Sequence, residues 1–306
     1  MSVYKSYINT LIDNLHFNES KPLELDLILD GGGFKGSYLI GSLLYLYELE
    51  KKNYIKINRI SGSSIGALLG TLYLLERLDE WDNLYKEIVD DFKKTMNLKF
   101  LHSVLENLSQ KLQENEYKKL NGKLYLNYFD IEKKQEEVIS TFDSNKDVVE
   151  CLKYTSYVPV ITDGNMHYNN KIDGARPYIF ETRGTNENKI LYIDLNFIGK
   201  IKNFFNTSTD KNGSARILKG IIEIHDFFSE GQQTTMCSYV NNWKLKDYGF
   251  HRFKELSWIL LIYAVTLLSV IYRCLSPYID NSLIFNHVKN VLKKLAVDVY
   301  IHIVFI

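Results

Sequence analysis

Ser64 stands in Gly62-Ser63-Ser64-Ile65-Gly66, a serine with a glycine two positions to either side. A turn of that composition bends sharply enough to present a serine Oγ as a nucleophile, and the bend is what demands small neighbours. Asp30 is followed directly by Gly31-Gly32-Gly33-Phe34-Lys35-Gly36. Glycine lets a ligand come close to the backbone, so amides in such a run can meet a developing negative charge. Asp173-Gly174-Ala175 adds a carboxylate, a candidate general base. Each segment alone has an ordinary explanation: a glycine turn, a helix N-cap at Ser64, a turn at Asp173-Gly174. Together they supply a nucleophile, an oxyanion site and a base, the parts needed to cleave an ester.

The flanking residues supply elements to hold these parts. Leu23 to Asp30 alternates apolar with acidic residues and then turns apolar, as a strand entering a core does. Tyr38, Leu39, Leu43, Leu46 and Tyr47 follow at helical spacing. The pattern repeats with a short strand at Ile57–Ser61 and a helical stripe of Ile65, Leu68, Leu69, Leu72 and Leu75. Both glycine segments therefore fall at strand-to-helix turns, where the helix N-terminus favours negative charge. The amide of Ile65 is placed to help hold an oxyanion.

Two nucleotide-binding readings of the glycine run fit less well. A P-loop needs Gly-Lys-Ser/Thr, whereas the order here is Lys35-Gly36-Ser37. Gly31-x-Gly33-x-x-Gly36 matches a dinucleotide fingerprint, but no carboxylate occurs in Asn53 to Ile57, where the second strand would supply one.

The ordered set Asp30 to Gly36, Gly62 to Gly66 and Asp173 to Ala175 resembles the patatin-like phospholipase family, over roughly residues 23–190. Tyr154 to Pro159 looks like the family's Ser-x-x-x-Pro stretch, with Ser156 to Pro159 one residue tighter. The resemblance implies an α/β three-layer domain with a mainly parallel central sheet, followed by a largely helical C-terminal region. It implies a Ser64–Asp173 dyad acting on acyl lipids, phospholipids included. The oxyanion hole would come from Gly32, Gly33, Phe34, Lys35 and Gly36, with Gly31, Gly62, Gly66, Gly174 and Ala175 shaping the turns. No metal or other cofactor is required. Arg176-Pro177 departs from the stretch that often follows the family's aspartate. The charged segment between Arg77 and Lys146, with helical patterns at Trp81–Lys94 and Ile131–Phe142, would hold the variable lid-like region. Two other readings stay open. One is an α/β-hydrolase triad completed by His225, His251, His287 or His302, which follow the acid in order only. The other is a catalytically idle lipid-binding or scaffold protein with the same fold.

Lys+Arg and Asp+Glu both number 37, so charge makes no case for nucleic acid. Cys151, Cys237 and Cys274 lack the spacing of a disulfide framework or a zinc site. Met1 to Pro22 has no signal-peptide pattern, and an intracellular protein is expected. The expected organisation is a lead-in at 1–22, the hydrolase domain at 23–190 and a C-terminal region at 191–306. That last region reads as a strand at Ile190–Leu195, a polar loop at Asn206–Ser214 and a helix at Ile217–Phe228. Leu256 to Tyr272 is uncharged, with Trp258 and Tyr272 near its ends. It reads either as a membrane-crossing helix over 256–275 or as a buried core helix. The apolar end at Ile284 to Ile306 either docks on the domain or lies on a membrane surface. A lipid substrate and a membrane surface are the expected partners.

Overall fold

The structure is a computed structural model that describes residues 2–15, 21–95, 97–181, 188–195 and 213–279. Helix α1 (Ser2–Asp13) leads into strand β1 (Leu23–Leu29), helix α2 (Gly36–Lys51), strand β2 (Ile55–Gly62) and helix α3 (Ile65–Leu74). Helices α4 (Trp81–Thr95) and α5 (Lys99–Lys111) follow, then strands β3 (Leu124–Asp130) and β4 (Gln135–Ile139), helix α6 (Asn145–Thr155) and strand β5 (Lys171–Asp173). Strand β6 (Lys189–Ile193), helix α7 (Ser214–Glu230), strand β7 (Cys237–Tyr239) and helix α8 (Leu245–Ile279) complete the order.

The strands form one seven-stranded sheet in the order β4-β3-β2-β1-β6-β7, with β5 pairing on β3. Strands β3, β2, β1 and β6 run parallel, and β4, β5 and β7 are antiparallel to their neighbours. Helices flank this mostly parallel sheet, as the α/β three-layer expectation requires.

The alternation in β1 explains its two faces. Leu25, Leu27 and Leu29 enter the main core with Leu39, Leu43 and Leu46 of α2 and Ile217, Ile221 and Ile224 of α7. Ile28 joins a smaller cluster with Phe180, Ile190, Tyr192 and Val240. On that second face buried Asp26 pairs with Arg59 at 2.8 Å, and the guanidinium lies over the Phe180 ring. Ile8 and Ile12 of α1 are buried in the main core, so part of the 1–22 segment packs with the domain, against α2 and α7. The boundary drawn at residue 190 falls inside β6, and α7 packs on α2.

Two expectations are corrected. Residues 131–142 do not form a helix. The Asp130 carboxylate accepts the amides of Glu132 and Lys133, both at 3.0 Å, and Lys134 takes a left-handed φ of 56°. That turn folds β4 back onto β3 in the register Asp130↔Gln135 to Leu126↔Ile139. Pairing to the sheet thus overrides the local helix preference of a Glu- and Lys-rich segment. Nor is the span expected over 256–275 found: among the described residues no helix is long and apolar enough to cross a membrane. The uncharged run between Glu255 and Arg273 has 17 residues. The alternative of a buried core helix fails too, because Leu256, Leu260, Tyr263 and Leu267 are exposed.

The helices expected at 81–94 and 217–228 are α4 and α7, and the strand at 190–195 corresponds to β6. The polar loop at 206–214, apart from its last two residues, and the segment 284–306 lie outside the described residues.

Candidate active site

Parallel pairing of β1 with β2, in the register Leu29↔Gly62, puts the two strand ends side by side. The glycine loop and the Ser64 turn are therefore neighbours. Ser64 has φ 50° and ψ −118°, a conformation that non-glycine residues rarely adopt. Strain of this kind costs roughly 1–3 kcal/mol and persists only where the surroundings hold it. Here the Ser64 amide donates to Thr155 Oγ1 at 3.2 Å, and the amides of Gly66 and Ala67 donate to the Ser63 carbonyl. A Cβ on Gly66 would stand 2.5 Å from the Leu29 carbonyl oxygen and 2.7 Å from that of Asp30. Only glycine lets α3 start this close to β1. The N-cap explanation of Ser64 does not apply, since its side chain makes no capping hydrogen bond to α3.

The loop after β1 is held by Asp30. Its Oδ1 accepts the Gly31 amide at 3.0 Å, and its Oδ2 accepts the Leu195 amide at 3.3 Å. Tyr192 also bonds this carboxylate through its side chain. Gly33 has φ 55°, and a tight 3-10 turn at Gly33–Lys35 leads into α2. The Lys35 amide donates to the Gly32 carbonyl and the Gly36 amide to the Gly33 carbonyl. Among the described residues the Gly32 and Gly33 amides make no hydrogen bond. Of the expected oxyanion set, the backbone donors of Lys35 and Gly36 are thus already engaged within the turn. Phe34 is buried against Phe92.

Asp173 ends β5, opposite Tyr128 of β3, and its amide donates to the Tyr157 carbonyl at 2.9 Å. Its Oδ1 accepts from Ser63 Oγ at 3.2 Å and from the Ala175 amide at 2.9 Å. Burial pushes this carboxyl up from its ordinary 3.8 to about 7, against the opposing effect of hydrogen bonds from Ala175, Ser63 and Ser64. Gly174 lies against Asn127, whose amide nitrogen bonds the Arg176 carbonyl and Glu136. Arg176 pairs with Glu136 at 3.1 Å, so the departure at Arg176-Pro177 is tied to β4.

The loop from Asp30 to Lys35, the serines Ser63 and Ser64, and Asp173 line one cavity of about 820 Å³. Its walls are apolar: Leu68 of α3, Trp81 and Ile88 of α4, Leu101 and Leu105 of α5, and Leu152 of α6. Tyr248, His251, Arg252, Phe253 and Ser257 of α8 complete it. Phe253 and Ser257 are themselves exposed, so this end of α8 forms the rim. Of the candidate histidines, His225 bonds the Tyr45 hydroxyl at 2.8 Å and does not line the cavity. His251 does line it, stacked on Trp243 with ring centroids 4.3 Å apart and edge-on to Tyr192. No histidine touches the Asp173 carboxyl among the described residues, outside which His287 and His302 lie.

Sequence reasoning missed Ser63, Thr155, Asn127 and the α8 rim. The local motif contained Ser63 all along. Thr155 lies in the Tyr154 to Pro159 stretch, which gave it no role, and Asn127 and the α8 rim come close only through the packing of β3 and α8, which no spacing in the chain signals.

A mostly parallel α/β sheet with a strained serine at the end of β2, and a buried aspartate on β5 beyond the intervening β3, is an architecture suited to acyl transfer. The family model for Patatin-like phospholipase matches residues 27–194, and the chain belongs to that family. It is similar to the omega-hydroxyceramide transacylase of Homo sapiens, 26% identical over 42% of this chain and 26% of that protein. It is also similar to patatin-like phospholipase domain-containing protein 4 of Homo sapiens, 21% identical over 42% of this chain and 54% of that one. The matches thus cover about a quarter and about half of those relatives' lengths.

Proposed function

We propose that this chain is a lipid acyl hydrolase working through a Ser64–Asp173 dyad. Ser64 Oγ attacks the acyl carbonyl carbon while its proton passes to the Asp173 carboxylate. The carbonyl oxygen becomes an oxyanion that the Gly32 and Gly33 amides receive. The tetrahedral intermediate collapses, the Asp173 proton goes to the leaving alcohol, and the acyl group stays on Ser64. Water then attacks the acyl-enzyme and gives its proton to Asp173, and the fatty acid leaves as the proton returns to Ser64.

The observation that carries this reading is the buried Asp173 carboxyl beside the serine turn, with a pKa of about 7. A carboxylate with an ordinary pKa is a poor base for a serine, and one near 7 is matched to neutral conditions. The apolar cavity supports an acyl lipid as substrate, phospholipids included. The partner surface in this reading is a membrane. Phe253, Leu256, Leu260, Tyr263, Leu267 and Val270 are exposed at alternating three- and four-residue steps along α8, continuing from the rim. Between Glu255 and Arg273 the sequence carries no charge, so this stretch of helix has no charged side to turn to water.

Hydrolysis of a panel of acyl lipids by the wild type and Ser64→Ala, with fluorophosphonate labelling of both, tests the reading. Ser64→Ala is expected to lose labelling and about four orders of magnitude or more in turnover. Near-normal turnover by a folded Ser64→Ala would remove the mechanism. No activity and no labelling in the folded wild type would favour the idle lipid-binding protein.

A further inference from the structure

The turn that carries Ser64 also carries a second serine whose hydroxyl bonds the same aspartate. We propose that Ser63 is a positioning residue: with the Ala175 amide it occupies Asp173 Oδ1, leaving Oδ2 as the atom that takes the Ser64 proton. This rests on the Ser64–Asp173 reading and specifies which carboxylate oxygen works and what aims it.

Ser63 Oγ lies 3.2 Å from Oδ1, and the Ala175 amide nitrogen lies 2.9 Å from the same oxygen. A carboxylate oxygen offers about two lone-pair positions, so these two donors fill Oδ1. The Ser63 hydroxyl is carried by the residue that follows β2, and the Ala175 amide belongs to the turn whose Arg176 carbonyl accepts from Asn127. They stop the carboxylate rotating and keep its other oxygen in one place. Ser63 is only 1% exposed, whereas Ser64 is half-buried on the cavity wall, so the two serines are suited to different tasks. Ser64, with a φ of 50°, also brings its hydroxyl to this carboxyl.

The charged and titratable groups around the aspartate are Asp30, Lys35, Arg176, Arg252, His251, Tyr85, Tyr192 and Tyr248 on the cavity, with Lys171 and Asp130 further along the β5–β3 pair. The contacts of the carboxyl itself are Ser63, Ser64 and Ala175. Its ionised form therefore depends on neutral donors, and removing one must show in its titration. The Ser63 bond favours the carboxylate, so its loss moves the titration upward.

The test is the pH dependence of kcat/KM for a short-chain aryl ester, with full-length wild type, Ser63→Ala, Ser63→Thr, Ser63→Cys and Ser64→Ala. Ser63→Ala is expected to shift the acidic limb up by about one pH unit, the effect of one hydrogen bond to a charge. Plateau turnover should fall about tenfold, because the base is less well aimed. Ser63→Thr keeps the hydroxyl and should restore both. Ser63→Cys, a near-isostere with a weak donor, should shift like Ser63→Ala and serves if the alanine variant does not fold. An unshifted limb in folded Ser63→Ala or Ser63→Cys, with Ser64→Ala inactive, overturns this proposal alone. Activity retained by Ser64→Ala but lost in Ser63→Ala would make Ser63 the nucleophile and overturn the underlying reading as well.

Discussion

Replacing Asp173 with asparagine should kill the enzyme and stabilise the fold, and the second effect has a pH dependence that can be worked out. The buried carboxyl has a pKa of about 7 when folded, against 3.8 as its ordinary value. Between those values the folded state keeps a proton that the unfolded chain has released. Raising the pH therefore favours unfolding, and the loss is complete once pH exceeds the folded value. A rise of roughly three pH units corresponds to ~4 kcal/mol, at 1.36 kcal/mol per unit. The asparagine side chain would imitate the protonated form, keep an oxygen for the Ser63 and Ala175 donors, and never ionise. Denaturant unfolding of wild type and Asp173→Asn should show a stability gap that grows in favour of the variant by ~4 kcal/mol between about pH 4 and about pH 8.5. Other ionisable groups are common to both proteins and cancel in the gap. In parallel, wild-type kcat/KM should climb with pH through about 7 and level off, while the variant stays inactive. A gap that is the same at both pH values would refute the raised pKa, and turnover by the variant would refute the base assignment.

The close approach at the turns makes a paired prediction. Gly66→Ala forces a Cβ against the Leu29 and Asp30 carbonyls and should cost about 3 kcal/mol or prevent folding. Gly33→Ala meets open space but a φ of 55°, so it should cost only about 1 kcal/mol while lowering turnover more than lipid binding. Thermal unfolding ranks the two, and equal losses of binding and turnover in Gly33→Ala would count against the oxyanion role. On α8, Leu260→Glu with Leu267→Glu should weaken co-flotation with phospholipid vesicles at least tenfold per site, since a buried leucine contributes about 1.5–3 kcal/mol. Unchanged flotation would sink the membrane-surface role of this helix.

Much of this site is legible in the chain because its parts are local. Gly62 and Gly66 around Ser64, and the glycines after Asp30, encode turns whose geometry depends on a few adjacent residues. The apolar periods on either side mark strand then helix, and repetition of that unit implies parallel pairing. What depended on distant segments was not legible. Residues 131–142 carry helix-forming side chains, yet Asp130 turns them into an edge strand because β3 offers pairing. Asp173-Gly174 by itself is an ordinary turn. It becomes a buried carboxyl with a raised pKa only where β5 meets β3 and the Ser63 hydroxyl reaches it from the turn after β2. The run at 256–272 announced its apolarity in the sequence, but only the fold set its N-terminal neighbours at the cavity rim and left Leu256, Leu260, Tyr263 and Leu267 exposed. The physical reason is range: dihedral preference and side-chain period are set by near neighbours, whereas desolvation and the meeting of hydrogen-bond partners are set by whichever segments the packed chain brings together.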